Sequence, residues 1–231
     1  MRTAARRISR KDIRQPDGFV LLARRFAAFS KANRNALAAA GAVVIFVIVA
    51  LLGWQLYKSR QNRLAAEEFA RAVDLYHTGK YKESLDALGR LEIYRSSYYS
   101  RLGLLYEANA QAAMQDTSRA ADTLRRLLDL EKKDPLLRQS AYLALGYNLE
   151  QRGQLADAAQ TFTEAEKIAG PLTGDATLGR ARSYAQTGNL KEAAAAYKKY
   201  LTDNPDSERS TEVTVRLQEL QSKMAQAPAA K

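Results

Sequence analysis

A six-residue phrase returns at a nearly fixed interval along this chain. It reads Gly79-Lys80-Tyr81-Lys82-Glu83-Ser84, then Gly153-Gln154-Leu155-Ala156-Asp157-Ala158, then Gly188-Asn189-Leu190-Lys191-Glu192-Ala193. A degenerate copy, Gln115-Asp116-Thr117-Ser118-Arg119-Ala120, lies between the first two, and the steps between first residues are 36, 38 and 35. A period of this size marks stacked supersecondary units, each burying its apolar face against its neighbours. That architecture points towards binding and away from the single core of an enzyme fold.

Each copy has a local physical meaning. The Gly suits a left-handed helix C-cap, where a residue without Cβ pays little penalty. The apolar residue two places on, and the small residue three beyond it, open the next helix. Around the third copy small and bulky residues alternate at helical spacing: Tyr142, Leu145, Gly146 and Leu149, then Ala158, Phe162 and Ala165. Around the fourth they are Ala181, Tyr184, Ala193, Tyr197 and Tyr200, with Pro205 closing the unit. Small residues let helices approach, and bulky ones fill the holes that result. The expected units lie near 65–99, 101–135, 139–171 and 174–207, and Ser207–Ala225 is expected as a last helix covering the open end.

A second feature precedes the repeats. Ala36–Tyr57 carries no charge. At a helical rise of 1.5 Å per residue it extends about 33 Å, enough to cross a bilayer core. Its apolar centre runs from Val43 to Leu52, and Trp54 and Tyr57 stand at one end, where aromatic rings favour the membrane interface. The stretch is longer than the apolar region of a cleaved leader, so it reads as an uncleaved anchor.

Orientation rests on charge. Residues 1–35 hold ten Lys/Arg against Asp12 and Asp17, so the arm carries +8 of the chain's +11. A short basic tail stays cytoplasmic, while a long domain crosses largely regardless of charge. Close to the span the flanks balance: Arg24, Arg25, Lys31 and Arg34 face Lys58, Arg60, Arg63 and Arg71. The total charge of the arm predicts a cytoplasmic N-terminus and a periplasmic repeat domain at a bacterial inner membrane. The chain contains no Cys, so helix packing alone must hold the stack.

Within the arm, Pro16-Asp17 reads as a helix start. Phe19, Leu22, Phe26 and Phe29 then share one face, with Arg24, Arg25 and Lys31 around it. That is the pattern of a helix lying on an anionic leaflet. Basic residues Arg2–Arg14 also suit nucleic acid, but no nucleic-acid fold or stacking platform accompanies them.

The chain offers little for catalysis. It has one His, His77, so a zinc site would be almost all carboxylate, a poor set for that metal. Nothing near His77 resembles a nucleophile elbow, and Gly79-Lys80 lacks the glycine spacing of a phosphate loop. No enzyme activity, cofactor, metal site or small-molecule substrate is expected.

The repeat pattern resembles the tetratricopeptide repeat. Tyr142, Leu145-Gly146, Leu149, Ala158, Phe162 and Ala165 follow that family closely; Ala181, Tyr184, Ala193, Tyr197 and Pro205 follow it in part. The first unit keeps size with Ala72, Leu75, Ser84 and Leu88, and the second is weaker, with Ala108, Gln111, Ala120 and Leu124. The resemblance implies an all-α chain: a single N-terminal transmembrane helix, then an α-solenoid of about four helix pairs plus a capping helix. The expected divisions are a basic arm over 1–35, an anchor over 36–57, repeats over 58–225 and a disordered tail over 226–231.

In this family the first helix of each unit lines the concave surface. Carried over by position, that puts Phe69, Val73, Tyr76 and His77 there from the first unit. Leu105, Asn109 and Ala112 follow from the second, Leu143, Tyr147 and Glu150 from the third, and Leu178 and Arg182 from the fourth. The mixture suits a peptide or an unfolded segment, although several of these side chains could simply pack inside the stack. The family's carboxylate-clamp version uses Lys and Asn near Phe69 and Val73. Both are apolar here, so acidic tails of cytosolic chaperones are not the expected ligand.

The order of parts is similar to a narrower family, the bacterial ancillary subunit of the Sec translocon, with its short cytoplasmic tail, one anchor and periplasmic repeats. The local likeness runs from Asn33 to Gln61, with Ala36-Leu37 and Gly53-Trp54 before an aromatic and a basic exit; the longer basic arm departs from it. The likeness implies protein partners, namely the translocon and periplasmic chaperones, and a role in the biogenesis of secreted or envelope proteins. A scaffold for another envelope machine, in cell-wall synthesis, division or secretion, would use the same layout and hold one stable partner. A membrane-tethered enzyme using His77 is the reading from another class.

Overall fold

The computed structural model describes residues 18–226, with the side chains of residues 18, 19, 23 and 30 outside the description. The basic residues Arg2–Arg14, the Pro16-Asp17 helix start, the Phe19 side chain and the tail after Gln226 therefore lie outside the described residues. Every regular element among those described is helical: α1 (Gly18–Ala32), α2 (Arg34–His77), α3 (Tyr81–Gly89), α4 (Tyr98–Ala113), α5 (Thr117–Leu130), α6 (Pro135–Gln151), α7 (Leu155–Glu166), α8 (Thr173–Gln186), α9 (Leu190–Asp203) and α10 (Ser210–Gln226). A 3-10 segment, Arg90–Tyr94, follows α3. The chain divides into two compact units, Met1–Tyr57 and Lys58–Lys231.

In the first unit, every described side chain of α1 is exposed. Leu22 is 71% exposed and Phe26 69%. From Leu37 to Tyr57 no side chain of α2 is buried. Val43, Ile45, Phe46, Val49 and Leu52 all present apolar surface outwards, and the helix is long and apolar enough to cross a membrane. The Trp54 and Tyr57 rings lie 6.3 Å apart. Residues 58–64 contain neither Gly nor Pro, so nothing stops the helix after Tyr57, and one helix serves as both the apolar stretch and the first repeat helix.

The second unit is a stack of helix pairs. Ala65 and Ala72 of α2 share a buried cluster with Ala87 and Leu88 of α3; α4 packs on α5, α6 on α7 and α8 on α9, each of these pairs packs on the helix before it, and first helices of neighbouring pairs touch, as α4 does α6 and α6 does α8. The turns within the four pairs share one geometry. Gly79, Gly153 and Gly188 have φ of +75°, +71° and +80°. In each, the following N–H returns to a carbonyl five residues back: Lys80 to Leu75, Gln154 to Leu149 and Asn189 to Tyr184, all 2.9 Å. The glycine N–H closes the inner bond, as Gly79 does to Tyr76 at 3.0 Å. These are Schellman caps, which satisfy carbonyls that the helix end leaves open. The degenerate copy adopts the same turn: Gln115 has φ +65°, and the Asp116 N–H donates to the Gln111 carbonyl at 2.9 Å.

The small position of the phrase is fully buried in all four copies, at Ser84, Ala120, Ala158 and Ala193. Ser84 tolerates that site because its hydroxyl donates to the Ala72 carbonyl at 2.8 Å, so no buried polar group is left unpaired there. Phe162 is the wedge of the third pair. It is fully buried, and its ring sits where a Cβ on either Gly146 or Gly179 would come within 2.5 and 2.6 Å. Two glycines on neighbouring first helices thus make room for one ring.

Two departures refine the sequence reading. The last helix begins at Ser210, not Ser207. Ser207 is held in a turn, its hydroxyl 2.6 Å from the Tyr200 hydroxyl and accepting from the Arg209 N–H. The second helix of the first pair is short, since α3 tightens into the 3-10 segment at Arg90.

Candidate functional site

The expected groove residues lie on the first helices α2, α4, α6 and α8. All are half-buried except the exposed His77 and the buried Leu178. They fall into two chemically different groups.

At the α2–α4 end the group is aromatic. Phe69 meets the Tyr106 ring edge-on at 5.2 Å and the Tyr99 ring at 5.6 Å. Tyr76 meets Tyr106 at 5.6 Å, Tyr81 at 5.5 Å and His77 at 5.5 Å. Edge-to-face contacts of this kind contribute about 0.5–1.5 kcal/mol each beyond area burial. Burial pushes the Tyr76 hydroxyl above its ordinary pKa, with Tyr81 and Tyr106 adding to the effect. The structure thus gathers Phe69, Tyr76 and His77 and adds Tyr81, Tyr99 and Tyr106, which the sequence does not single out. In the middle, Leu105, Ala112 and Leu143 lean against the central core cluster, so part of their surface is used in packing. Val73 and Asn109 are half-buried.

At the α6–α8 end the group is charged. Arg182 donates from Nε and Nη2 to the two carboxylate oxygens of Glu150, each at 2.7 Å. Its guanidinium lies over the Tyr147 ring, 5.5 Å from the centroid. Tyr147 in turn meets Phe162 at 5.3 Å, so the displayed ion pair stands on the buried wedge. The bond to Glu150 raises the Arg182 pKa against the opposing effect of burial. The Tyr147 hydroxyl is raised by burial, then by Asp175, with Arg182 opposing. Arg209 donates to Asp175 at 2.6 Å, which raises its pKa as well.

A cleft of about 770 Å³ opens here. Tyr147, Arg182, Arg209, Glu212, Arg216, Glu219 and Lys223 line it, over a floor of Leu178, Tyr197, Val213 and Leu220 that are buried against one another. Leu178, expected on this surface, is itself buried. The contribution of α10 escapes a sequence reading that treats this helix only as a cover. A signal for it exists: its cleft-lining residues recur at intervals of three and four, the mark of one helix face, and Arg216 follows Arg182 by 34 residues, one repeat period.

A second cleft, about 590 Å³, lies where α3 is short, between Leu88, Leu91, Leu104 and Leu130. Burial holds the Glu107 carboxyl in it above the usual carboxylate range, with Arg126 opposing. None of the expected site residues lines it. Among the described residues there is no group of three or more His, Cys, Asp or Glu placed to hold a metal ion.

A family model described as a tetratricopeptide repeat-like domain matches residues 27–222. Solved structures with a similar fold include nearly identical TPR-like repeats from Podosopora anserina, at 15% identity and a TM-score of 0.55, covering 72% of this chain and 93% of that one. A MamA protein aligns at 14% identity and a TM-score of 0.54, covering 72% and 97%. MamA from Desulfovibrio magneticus RS-1 aligns at 17% and 0.53, covering 71% and 97%. At these identities the likeness is one of fold. No curated protein matches the sequence.

Proposed function

The chain belongs to the tetratricopeptide repeat-like domain family, and we propose that it is a membrane-tethered docking protein for other polypeptides. The fold is one that typically mediates protein–protein contact. The observation that carries the reading is the first-helix face: ring and charged side chains stand half-buried along it, and it ends in a cleft of about 770 Å³. In this reading Phe69, Val73, Tyr76, His77, Leu105, Asn109, Leu143, Tyr147, Glu150 and Arg182 contact the bound segment.

The tether is the apolar part of α2, with Leu22, Arg24, Arg25, Phe26, Phe29, Trp54 and Tyr57 at the membrane interfaces. Support comes from its exposed apolar surface and from the family match, which starts at residue 27 and so takes in this stretch together with the repeats. A central Lys costs about 3 kcal/mol in a spanning helix. Val47→Lys should therefore shift the chain out of carbonate-washed membranes; full retention would count against a spanning α2.

The basic arm supports a cytoplasmic N-terminus, with the repeats in the periplasm. We place the protein beside the exit of the Sec translocon, passing emerging chains to periplasmic chaperones. Tethering raises the local concentration of the docking face, so weak and unselective contacts suffice. A photo-crosslinker at Tyr147 should recover many secreted chains and chaperones. Recovery of one stoichiometric envelope protein would favour a dedicated assembly scaffold, and recovery of neither would overturn the docking role.

A further inference from the structure

Helix α1 carries an apolar face and charge of a single sign. Leu22, Phe26 and Phe29 follow one another at intervals of four and three, which places them on one face, and all three are more than half exposed. By the helical repeat, Arg25 stands at the edge of that face and Arg24 and Lys31 on the far side. All three cations are exposed, and among the described residues none is paired with a carboxylate. Nor does the neighbouring sequence supply one: residues 18–66 contain no Asp or Glu.

The helix is also joined to the apolar stretch without a loop. Only Asn33 separates α1 from α2. Its N–H and its Nδ2 donate to the Phe29 carbonyl at 3.0 and 3.2 Å, and its carbonyl accepts from the Leu37 N–H at 2.9 Å. Phe29 is seven residues from Ala36, where the uncharged stretch begins, or about 10 Å of helix. A leaflet is therefore within reach of this face whenever α2 spans a bilayer. An interfacial helix sinks its apolar face about 5–10 Å, and a helix with its side chains is about 10–12 Å thick, so its far side stands level with the headgroups.

We infer that α1 is a binding element for anionic phospholipid. Leu22, Phe26 and Phe29 enter the upper acyl chains, and Arg24, Arg25 and Lys31 engage headgroup phosphates. This rests on the reading of α2 as a spanning helix, and adds a second membrane contact that selects lipid by charge. The span holds by apolar burial alone and is indifferent to headgroups; α1 attaches only where the leaflet is negative.

The chain has no Cys, so single-cysteine probes report on the full-length protein. Leu22→Cys and Val47→Cys, each carrying the fluorophore NBD, are reconstituted separately into vesicles of phosphatidylcholine alone or with phosphatidylglycerol, with spin-labelled acyl chains as quencher. The Leu22 probe should be quenched in the anionic vesicles. The ratio of leaflet-bound to free α1 should fall about a hundredfold in the neutral ones, the effect of three cations near a charged surface. High salt, and the triple variant Arg24→Gln, Arg25→Gln, Lys31→Gln, should each erase that margin and leave the melting curve of the repeats in place. Equal quenching in both lipids, or quenching in neither, would overturn the proposal. The Val47 probe reads the span separately: it should be quenched in both lipids, and its failure would remove the spanning reading even if Leu22 still answered to anionic lipid.

Discussion

The two ends of the repeat stack dispose of their aromatic rings differently. In the α6–α7 pair the ring is inside: Phe162 is fully buried, and the face above it carries Tyr147, Glu150 and Arg182. In the α2–α3 pair the matching position on the second helix is Leu88, 3% exposed. The rings there sit on the first helices instead, half-buried, as Phe69, Tyr76, Tyr99 and Tyr106. Both ends keep the same turn, the same buried small residue and the same pairing. The fold therefore depends on a few positions between helices, and the outward positions are left to vary. One end displays apolar ring surface; the other displays paired charge, Arg182 with Glu150 and Arg209 with Asp175.

The strongest way to break this comparison is to remove the inner ring. Phe162→Ala should destabilise the repeat unit by about 3–5 kcal/mol, because two glycines have opened a space that nothing else fills. Chemical denaturation followed by helical circular dichroism reads that loss. Gly146→Ala should approach it from the other direction, since its Cβ would lie 2.5 Å from the ring and force an overpacked core, at about 1–3 kcal/mol. A loss under about 1 kcal/mol for Phe162→Ala would mean the ring is not the wedge that separates the two ends.

This wedge is legible in the sequence. Gly146, Ala158, Phe162 and Ala165 follow a pattern whose size alternation alone demands close helices with a ring between them. The turns are legible for the same reason, since a periodic Gly before a helix start has few other uses. The displayed features are harder to read. Tyr99 and Tyr106 stand outside the phased positions, so their joining Phe69 depends on how α4 packs on α2. The row Arg209, Arg216 and Lys223 looks like the solvated side of a terminal helix, and only the packing of α10 on α9 makes it part of a cleft. Nor does the pattern indicate that the apolar stretch and the first repeat helix are one helix: the two signals stand apart, at 36–57 and from 65, and only the lack of Gly or Pro between them permits it.

A sharper contrast comes from truncating a displayed ring. Phe69→Ala removes a half-buried side chain whose neighbours, Tyr99 and Tyr106, can partly close over the gap. The expected cost is about 1–2 kcal/mol, well below that at Phe162. Its effect on crosslinking of partners near Tyr106 should be the larger one, lowering yield while most of the protein stays folded at growth temperature. If stability fell as far as in Phe162→Ala, the N-terminal rings would be core and the apolar docking end would lose its basis.

The smallest expected effect lies where the two ends meet, at the turn between α4 and α5. There Gln115 holds φ +65°, whereas the other three within-pair turns have Gly. A side chain in the left-handed region costs about 1–2 kcal/mol, and Gly escapes that cost but loses more chain entropy on folding. The balance predicts that Gln115→Gly stabilises by about 0.5–1 kcal/mol, while Gly153→Ala, the reverse change in an equivalent turn, destabilises by about 1 kcal/mol. Both positions are exposed, with open space where a Cβ at Gly153 would sit, so packing does not confuse the sign. Equal and opposite shifts in the denaturation midpoint would show that the degenerate second unit carries strain at its turn. No gain from Gln115→Gly would mean that the Gln side chain offsets its own strain, and the weak copy would then be as well made as the others.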